Sequence, residues 1–343
     1  MCDSSNCESP YLSIICQNLK HALKNTDLTS IPGILPYHSG KVRDIFSLAD
    51  LPNNLLMVTS DRLSAFDRVL TDIPFKGQVL AQLSQYWFQE LSHIIPTHFI
   101  LSLDPNVWLT HRCTVFQIEF VVRGYITGTT ETSLWTRYAA GERTYSGIKL
   151  EEGLKKNQKL PCPVVTPTTK STDHDRPISP EEIVQEGWMK KEEYEYCAKK
   201  ALQLYEKGVK TALEKGLLLV DTKYEFAKDQ NGVILLVDEV HTPDSSRYWL
   251  ASSYMDRFSN NLDPECFDKD IIRRWYQKNS DPYRDENLPE APKELIADVS
   301  LRYIKLYETL TGLKFEFQDE LDTSRRVRTK IEKWINGSKS QTS

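Results

Sequence analysis

Apolar positions recur along this chain in two rhythms, one near 3.6 residues and one of two or fewer, and these separate helices from strands. Leu80, Leu83, Trp87 and Leu91 fall at three- and four-residue steps and predict an amphipathic helix over 78–93. Tyr194, Ala198, Ala201, Leu202, Tyr205, Val209, Ala212 and Leu213 make a longer apolar face, stopped at Gly216. Ser179-Pro180-Glu181-Glu182 ahead of it reads as a capping box with proline at the first helical position. A helix starting at Asp263-Pro264 is expected through Ile271, Ile272 and Trp275, and another over 293–311, ended by Gly312. Weaker helical signals lie at 11–24 and 134–140, and 324–333 reads as a basic, solvated helical face.

Strand signals are shorter and richer in β-branched residues. The best in the first half is 114–123, TVFQIEFVVR; 55–59 is a second, and 42–46 alternates imperfectly. The apolar runs 217–220 and 233–237 are too short for ordinary helices, and Asp229-Gln230-Asn231-Gly232 between them is a turn, so the pair reads as a hairpin. Residues 161–180 hold too many prolines for a helix interior and read as a long loop, functional or disordered, with Lys170, His174 and Asp175 favouring function.

Length and composition narrow the class. A chain of 343 residues with 40% hydrophobic and 27% charged residues is an ordinary globular protein, long enough for two lobes. The expected division is an N-terminal extension over 1–30, a β-rich lobe over 31–115 and a larger lobe over 116–343. A net charge of −5 argues against nucleic acid as a partner. No apolar run approaches the ~20 residues of a membrane span, and the first residues lack a signal-peptide pattern, so no membrane partner is expected. The seven cysteines are scattered and form no CxxC pair, which points to a reduced, cytoplasmic setting.

Candidate chemistry concentrates in a few stretches. Asp221, Glu225, Asp238 and Glu239 cluster in and after the 217–237 hairpin, with Lys223 among them. Such carboxylates are either a solvated hairpin edge or the seat of a cation, and oxygen ligands of this kind suit Mg²⁺ shared with phosphates. Gly40-Lys41-Val42-Arg43 can lay amides and cations over a polyphosphate, or be a plain surface hairpin. The polar run 60–67 is a binding loop or a capped turn. Gly124–Thr130 suits an anion-binding turn with Arg123 at its mouth. Lys170, His174 and Asp175 lie in the proline-rich stretch, where a lone histidine is usually only surface.

Six motifs in order resemble the SAICAR synthetases (phosphoribosylaminoimidazole-succinocarboxamide synthases), in their longer fungal and plant form. They are GKVRD at 40–44, SDRLSAFD at 60–67, EFVVRGYITGTT at 119–130, TPTTKSTDHDRPIS at 166–179, LVDTKYEF at 219–226 and DEVHTPDSSRYW at 238–249. The resemblance covers roughly 35–310. It implies an α+β, two-lobed fold, with an N-terminal antiparallel-sheet lobe and a larger ATP-binding lobe related to kinase and ATP-grasp architectures. It implies an ATP-dependent ligase that joins L-aspartate to the carboxyaminoimidazole ribonucleotide through an acyl phosphate, with Mg²⁺ as cofactor, in a monomer or homodimer.

Carried onto this sequence, the resemblance puts Gly40, Lys41 and Arg43 over the ATP phosphates, with Glu119 by the adenine. Glu225 and Asp238 become Mg²⁺ ligands, and Lys223 a neighbour of the transferred phosphoryl group. Arg123, Thr129, Ser246 and Arg247 would hold the ribonucleotide's phosphate, and Asp244 its hydroxyl or amino groups. Lys170 and Asp175 would close over the reacting carboxylate, and Arg62 and Ser64 would receive aspartate. Two other readings compete: a small-molecule kinase, which needs no amine acceptor, and a non-catalytic nucleotide-binding module, which would lack the metal carboxylates.

Overall fold

The computed structural model describes residues 10–170, 176–320 and 322–339. The chain divides into two compact units, the first made of Met1–Gln85, Phe99–Arg112 and Lys269–Ser343, the second of Tyr86–His98 and Cys113–Asp268.

In the first unit, α1 (Pro10–Asn18) and a 3₁₀ turn precede β1 (Ile34–Ser39), β2 (Arg43–Leu48) and β3 (Asn54–Thr59). A small hairpin follows, β4 (Arg62–Ala65) and β5 (Arg68–Asp72), then α2 (Lys76–Leu91), whose residues from Tyr86 on belong to the second unit, and then β6 (Phe99–Asp104) and β7 (Val107–His111). Strands β1-β2-β3-β7-β6 form one antiparallel sheet. The polar run at 60–67 is therefore a hairpin and not a helix cap. Phe66 and Asp67 at its tip have φ of 53° and 59°, as a tight primed turn requires.

The second unit holds β8 (Thr114–Ile126), α3 (Leu134–Ala139), β9 (Thr144–Tyr145), β10 (Ile148–Lys149) and β11 (Gln158–Thr169). It continues with α4 (Pro180–Gln185), α5 (Lys191–Glu214), β12 (Leu217–Lys228), β13 (Ile234–Val237), β14 (Ser246–Leu250) and α6 (Ala251–Ser259). Its main sheet runs β11-β8-β12-β13, and β14 also pairs with β12. β12 is the hub. One edge pairs with β8, while the other is shared by β14 at its start and β13 at its end. Helix α5 is tied to this strand by Tyr205, whose hydroxyl donates to the carbonyls of Leu219 (2.8 Å) and Val220 (3.0 Å).

The chain returns to the first unit with α7 (Asp270–Asn279), α8 (Lys293–Thr311) and α9 (Thr323–Lys339). Val327 and Ile331 of α9 join Leu56, Val58, Val107 and Leu109 of the sheet in one buried cluster. Among the described residues no helix is long and apolar enough to cross a membrane.

Three expectations change. The first half of 161–180 is strand, not loop. β11 is an edge strand, and its pairing with β8 skips from Lys159 to Val164, which accommodates Pro161 and Pro163 where no ladder donor is needed. The helix expected from Asp263 begins at Asp270, and α6 precedes it. The division of the chain also differs from a single cut near 115, because 269–343 groups with the N-terminal sheet and 86–98 with the second unit.

Candidate active site

In the second unit the functional side chains follow from the register of β12. Asp221, Lys223 and Glu225 alternate with apolar or hydroxyl neighbours and so share one face of the strand. On β8, Glu119 lies opposite Glu225 and Arg123 opposite Asp221; on β14, Arg247 lies opposite Asp221 from the other side. Two clusters result.

The first is built on Lys223. Its Nζ donates to Glu119 Oε1 (2.7 Å) and to Glu225 Oε1 (2.8 Å), so one ammonium group separates two carboxylates that would otherwise repel. Lys170 donates to the other oxygen of Glu225, and Thr168 Oγ1 donates weakly to Glu119 Oε2 (3.4 Å). Burial works against charge on Lys223, but Glu119, Glu225 and Asp238 outweigh it and hold its pKa well above the usual lysine value. Burial alone would raise the Glu225 pKa; Lys223 and Lys170 overcome that and hold it far below the usual carboxylate range. Three carboxylates against two lysines leave one negative charge. Asp238, with φ of 68°, follows β13 directly, and Glu225 pairs with Val237, so the two acids are offset by one residue across the hairpin.

These residues fit the Mg²⁺ that the resemblance implies. The donors are oxygens, Glu225 is held ionised by its two lysines, and the excess charge is negative. Among the described residues no group of three or more His, Cys, Asp or Glu could hold an ion alone.

The second cluster is an arginine pair on one acid. Arg247 Nη1 donates to Asp221 Oδ2 at 2.6 Å, Arg123 Nη1 reaches the same oxygen at 3.5 Å, and Arg123 Nε donates to Thr166 Oγ1 at 2.9 Å. Ser246 Oγ donates to Thr222 Oγ1 at 2.8 Å, one residue along the same register. The turn carrying Thr129 lies beside this pair. Gly128 there has φ of 111°, and a methyl group on it would come within 2.4 Å of Ser133 Cβ and 3.5 Å of Arg247 Nη2. Only glycine allows that approach.

The loop from Asp238 to Ser246 is fixed by buried hydrogen bonds. Thr242 Oγ1 donates to Glu239 Oε2 (2.5 Å) and accepts from the amides of Asp244 (3.3 Å) and Ser245 (3.2 Å). The amide of Lys223 donates to Ser245 O (3.0 Å), and Tyr224 Oη meets His241 Nε2 at 2.5 Å. Burial pushes His241 down to about 3, so it stays neutral and acts as a fastener.

In the first unit, the Gly40–Arg43 turn closes by Gly40 N donating to Arg43 O (2.8 Å). Lys41 Nζ pairs with Asp67 at 3.2 Å, both side chains about half exposed. Arg62 differs from expectation. Its five N–H donors are committed: Nε to Lys41 O (3.2 Å), Nη1 to Lys24 O (2.5 Å) and Asp44 Oδ2 (3.1 Å), Nη2 to Gly40 O (3.0 Å) and Asp44 Oδ1 (2.9 Å). None is left for a dicarboxylate, so Arg62 pins the 40–44 hairpin. Ser64 is partly exposed, and its carbonyl accepts from Lys269 Nζ (3.2 Å). Asp175 and His174 lie outside the described residues.

The structure thus joins Glu119, Lys170, Lys223 and Glu225, with Asp238 in electrostatic reach, and joins Arg123 to Arg247 through Asp221. Glu119, expected beside adenine, is a partner of Lys223. Three residues were missed as site residues: Asp221, Tyr224 and His241. The alternation Asp-x-Lys-x-Glu was the available signal for the first. Nothing local marks the other two, because their pairing spans 17 residues.

An α+β enzyme with basic and acidic residues gathered for anionic, phosphate-bearing substrates is the class this architecture defines. The sequence pattern of SAICAR synthetase matches residues 36–289. The phosphoribosylaminoimidazole-succinocarboxamide synthase of Arabidopsis thaliana, described as chloroplastic, is 52% identical over 91% of this chain and 76% of its own length. That of Legionella pneumophila (strain Paris) is 51% identical over 90% of this chain and 97% of its own. Among solved structures, the Saccharomyces cerevisiae SAICAR synthase complexed with SAICAR aligns with a TM-score of 0.72 at 32% identity, over 86% of this chain and 100% of that one. A type-2 SAICAR synthetase in complex with ADP aligns with a TM-score of 0.62 at 27% identity, over 82% of this chain and 99% of that one. The chain belongs to the SAICAR synthetase family, ligases of the aspartate-joining step of de novo purine biosynthesis.

Proposed function

We propose that the two clusters on β12 divide the work of that ligation. The reaction joins L-aspartate to 5-amino-1-(5-phosphoribosyl)imidazole-4-carboxylate and converts ATP to ADP and phosphate. A carboxylate does not acylate an amine at neutral pH, so ATP first phosphorylates it. The amino group of aspartate then displaces phosphate from the acyl phosphate, loses a proton and leaves the amide.

Arg123, Arg247, Thr129 and Ser246 bind the ribonucleotide phosphate, and Asp221 holds the two guanidinium groups toward one point. Asp244 receives hydroxyl or amino donors of the same substrate. Glu225 and Asp238 would hold Mg²⁺ on the ATP phosphates, where the ion supplies neutralisation of phosphoryl charge. Lys223 offers its proton-rich ammonium to the transferred group, kept charged by Glu119 and Glu225. Lys170, with Asp175, closes on the reacting carboxylate. Gly40, Lys41 and Arg43 cover the ATP phosphates. Aspartate takes the segment around Ser64, with Arg62 holding that segment in place.

The observation that carries this reading is the spacing on β12. The arginine pair at Asp221 and the lysine–carboxylate cluster at Glu225 share a face four residues apart, about 13 Å along a strand. That is the scale of a ribonucleotide laid from its phosphate to its base. The scattered cysteines of the sequence, with no CxxC pair, are what a cytoplasmic enzyme would carry. Asp221→Asn tests the reading. It should raise KM for the ribonucleotide about tenfold, the size of one lost charge-assisted hydrogen bond, and leave KM for ATP unchanged. Equal changes in both would detach the arginine pair from the ribonucleotide.

A further inference from the structure

Helix α9 lies beyond the residues that the family pattern matches, yet it reaches toward the Gly40–Arg43 turn through buried polar contacts within the first unit. Arg326 on its first turns is 8% exposed and grips Asp104 with both sides of its fork, Nε to Oδ2 (3.0 Å) and Nη2 to Oδ1 (3.2 Å). Nη2 also donates to Asn106 Oδ1 (2.6 Å). Asn106 then holds the end of β3: its Nδ2 donates to Thr59 O (2.9 Å), and its own carbonyl accepts from Thr59 N (2.8 Å).

Thr59 is the register partner of Arg43, and the next residue, Ser60, donates to Val42 O from its amide (2.9 Å) and its hydroxyl (2.5 Å). Asp61 follows, buried, accepting from Leu23 N (2.7 Å) and from Gly77 N at the start of α2 (2.8 Å). The packing allows no slack. A methyl group on Gly77 would sit 2.3 Å from Thr59 O, 2.6 Å from Asn106 Nδ2 and 2.9 Å from Ser60 O. These bonds run in series through tightly packed groups, so movement of Arg326 is passed through Asn106 to Thr59, and from Thr59 and Ser60 to Arg43 and Val42.

We infer that Arg326 is a positioning residue for ATP binding, setting the Gly40–Arg43 turn through Asp104, Asn106 and Thr59. A lysine at 326 keeps the charge but has no fork, so it cannot hold Asp104 and Asn106 together. The inference rests on the reading of 40–43 as the ATP-phosphate cover, and the test separates the two.

The full chain is assayed at steady state with ATP and then the ribonucleotide varied, for wild type, Arg326→Lys and Lys41→Ala, with melting temperatures recorded for each. Arg326→Lys should raise KM for ATP about tenfold and leave KM for the ribonucleotide within twofold. Asp104→Asn serves as the second variant should Arg326→Lys not fold, with the same selective change expected. If Lys41→Ala raises KM for ATP while the Arg326 and Asp104 variants only melt earlier, or change every constant alike, α9 is a structural prop and the inference is overturned. If neither Lys41→Ala nor Arg326→Lys moves KM for ATP, the reading of the 40–43 turn fails and the inference falls with it.

Discussion

Replacing Lys223 with methionine should give the protein a stability that falls with pH near neutrality, where this site in the wild type contributes no slope. Glu119 and Glu225 lie opposite each other on adjacent strands, with Lys223 Nζ 2.7 Å and 2.8 Å from their oxygens. Opposed side chains in an antiparallel pair sit about 5 Å apart, and two like charges at that distance repel by roughly 3 kcal/mol at an effective dielectric of ~20. Lys170 still holds one oxygen of Glu225 and offsets part of this. The net cost at pH 7 is then about 2 kcal/mol, or about 5 °C in melting temperature for a unit of this size.

In the wild type the Glu225 pKa is far below the usual range, so its stabilisation is complete above the unfolded carboxylate value and is lost only in strong acid. Between pH 5 and 8 it contributes no slope. Without Lys223, burial and the facing Glu119 raise the pKa of the pair instead. The folded variant then binds a proton that the unfolded chain does not, and its stability falls as pH rises. Thermal melts of wild type and Lys223→Met by circular dichroism, at intervals from pH 5 to 8, measure the difference directly. It should widen steadily with pH. A constant difference would mean that Lys223 does not separate the two carboxylates electrostatically.

His241 should remain neutral across the working range. Burial depresses its pKa to about 3, so its stabilising contribution is present above the unfolded value near 6.5 and drains away as pH falls toward 3. Its imidazole resonance should not titrate between pH 8 and 5; a midpoint near 6.5 would contradict the buried Tyr224 contact. Asp238→Asn should lower kcat by at least ~10²-fold if Asp238 holds the ion at the transferring phosphate, the loss expected for a main electrostatic stabiliser. A rate near wild type at saturating Mg²⁺ would remove it from the metal seat.

The legible parts of this protein were those with local causes. The helix stopped at Gly216 and the turn at Asp229–Gly232 are written in periodicity and turn chemistry, and both stand: Asp229 Oδ1 accepts from the amides of Asn231 (2.9 Å) and Val233 (2.8 Å). Parts set by distant partners were not legible. Pro161 and Pro163 argued for a loop, because only the neighbouring strand shows that they fall on an edge with a skipped register. Arg62 looked like a ligand for a dicarboxylate because its motif is polar and its type is right; its five bonds come from Lys24, Gly40, Lys41 and Asp44, up to 38 positions away. Asp221 was visible as an acid but not as the centre of an arginine pair, which needs β8 and β14 on either side. The basic 324–333 stretch read as a solvated face, whereas Arg326, Val327 and Ile331 are buried.

The central claim is that phosphoryl transfer from ATP is coupled to amide formation with aspartate. The most direct measurement is ADP release by the purified chain with ATP, Mg²⁺ and the ribonucleotide, with and without L-aspartate. Steady ADP release should require aspartate and match the succinocarboxamide formed one for one. Steady release at a comparable rate without aspartate would make the protein a kinase of the ribonucleotide and contradict the account.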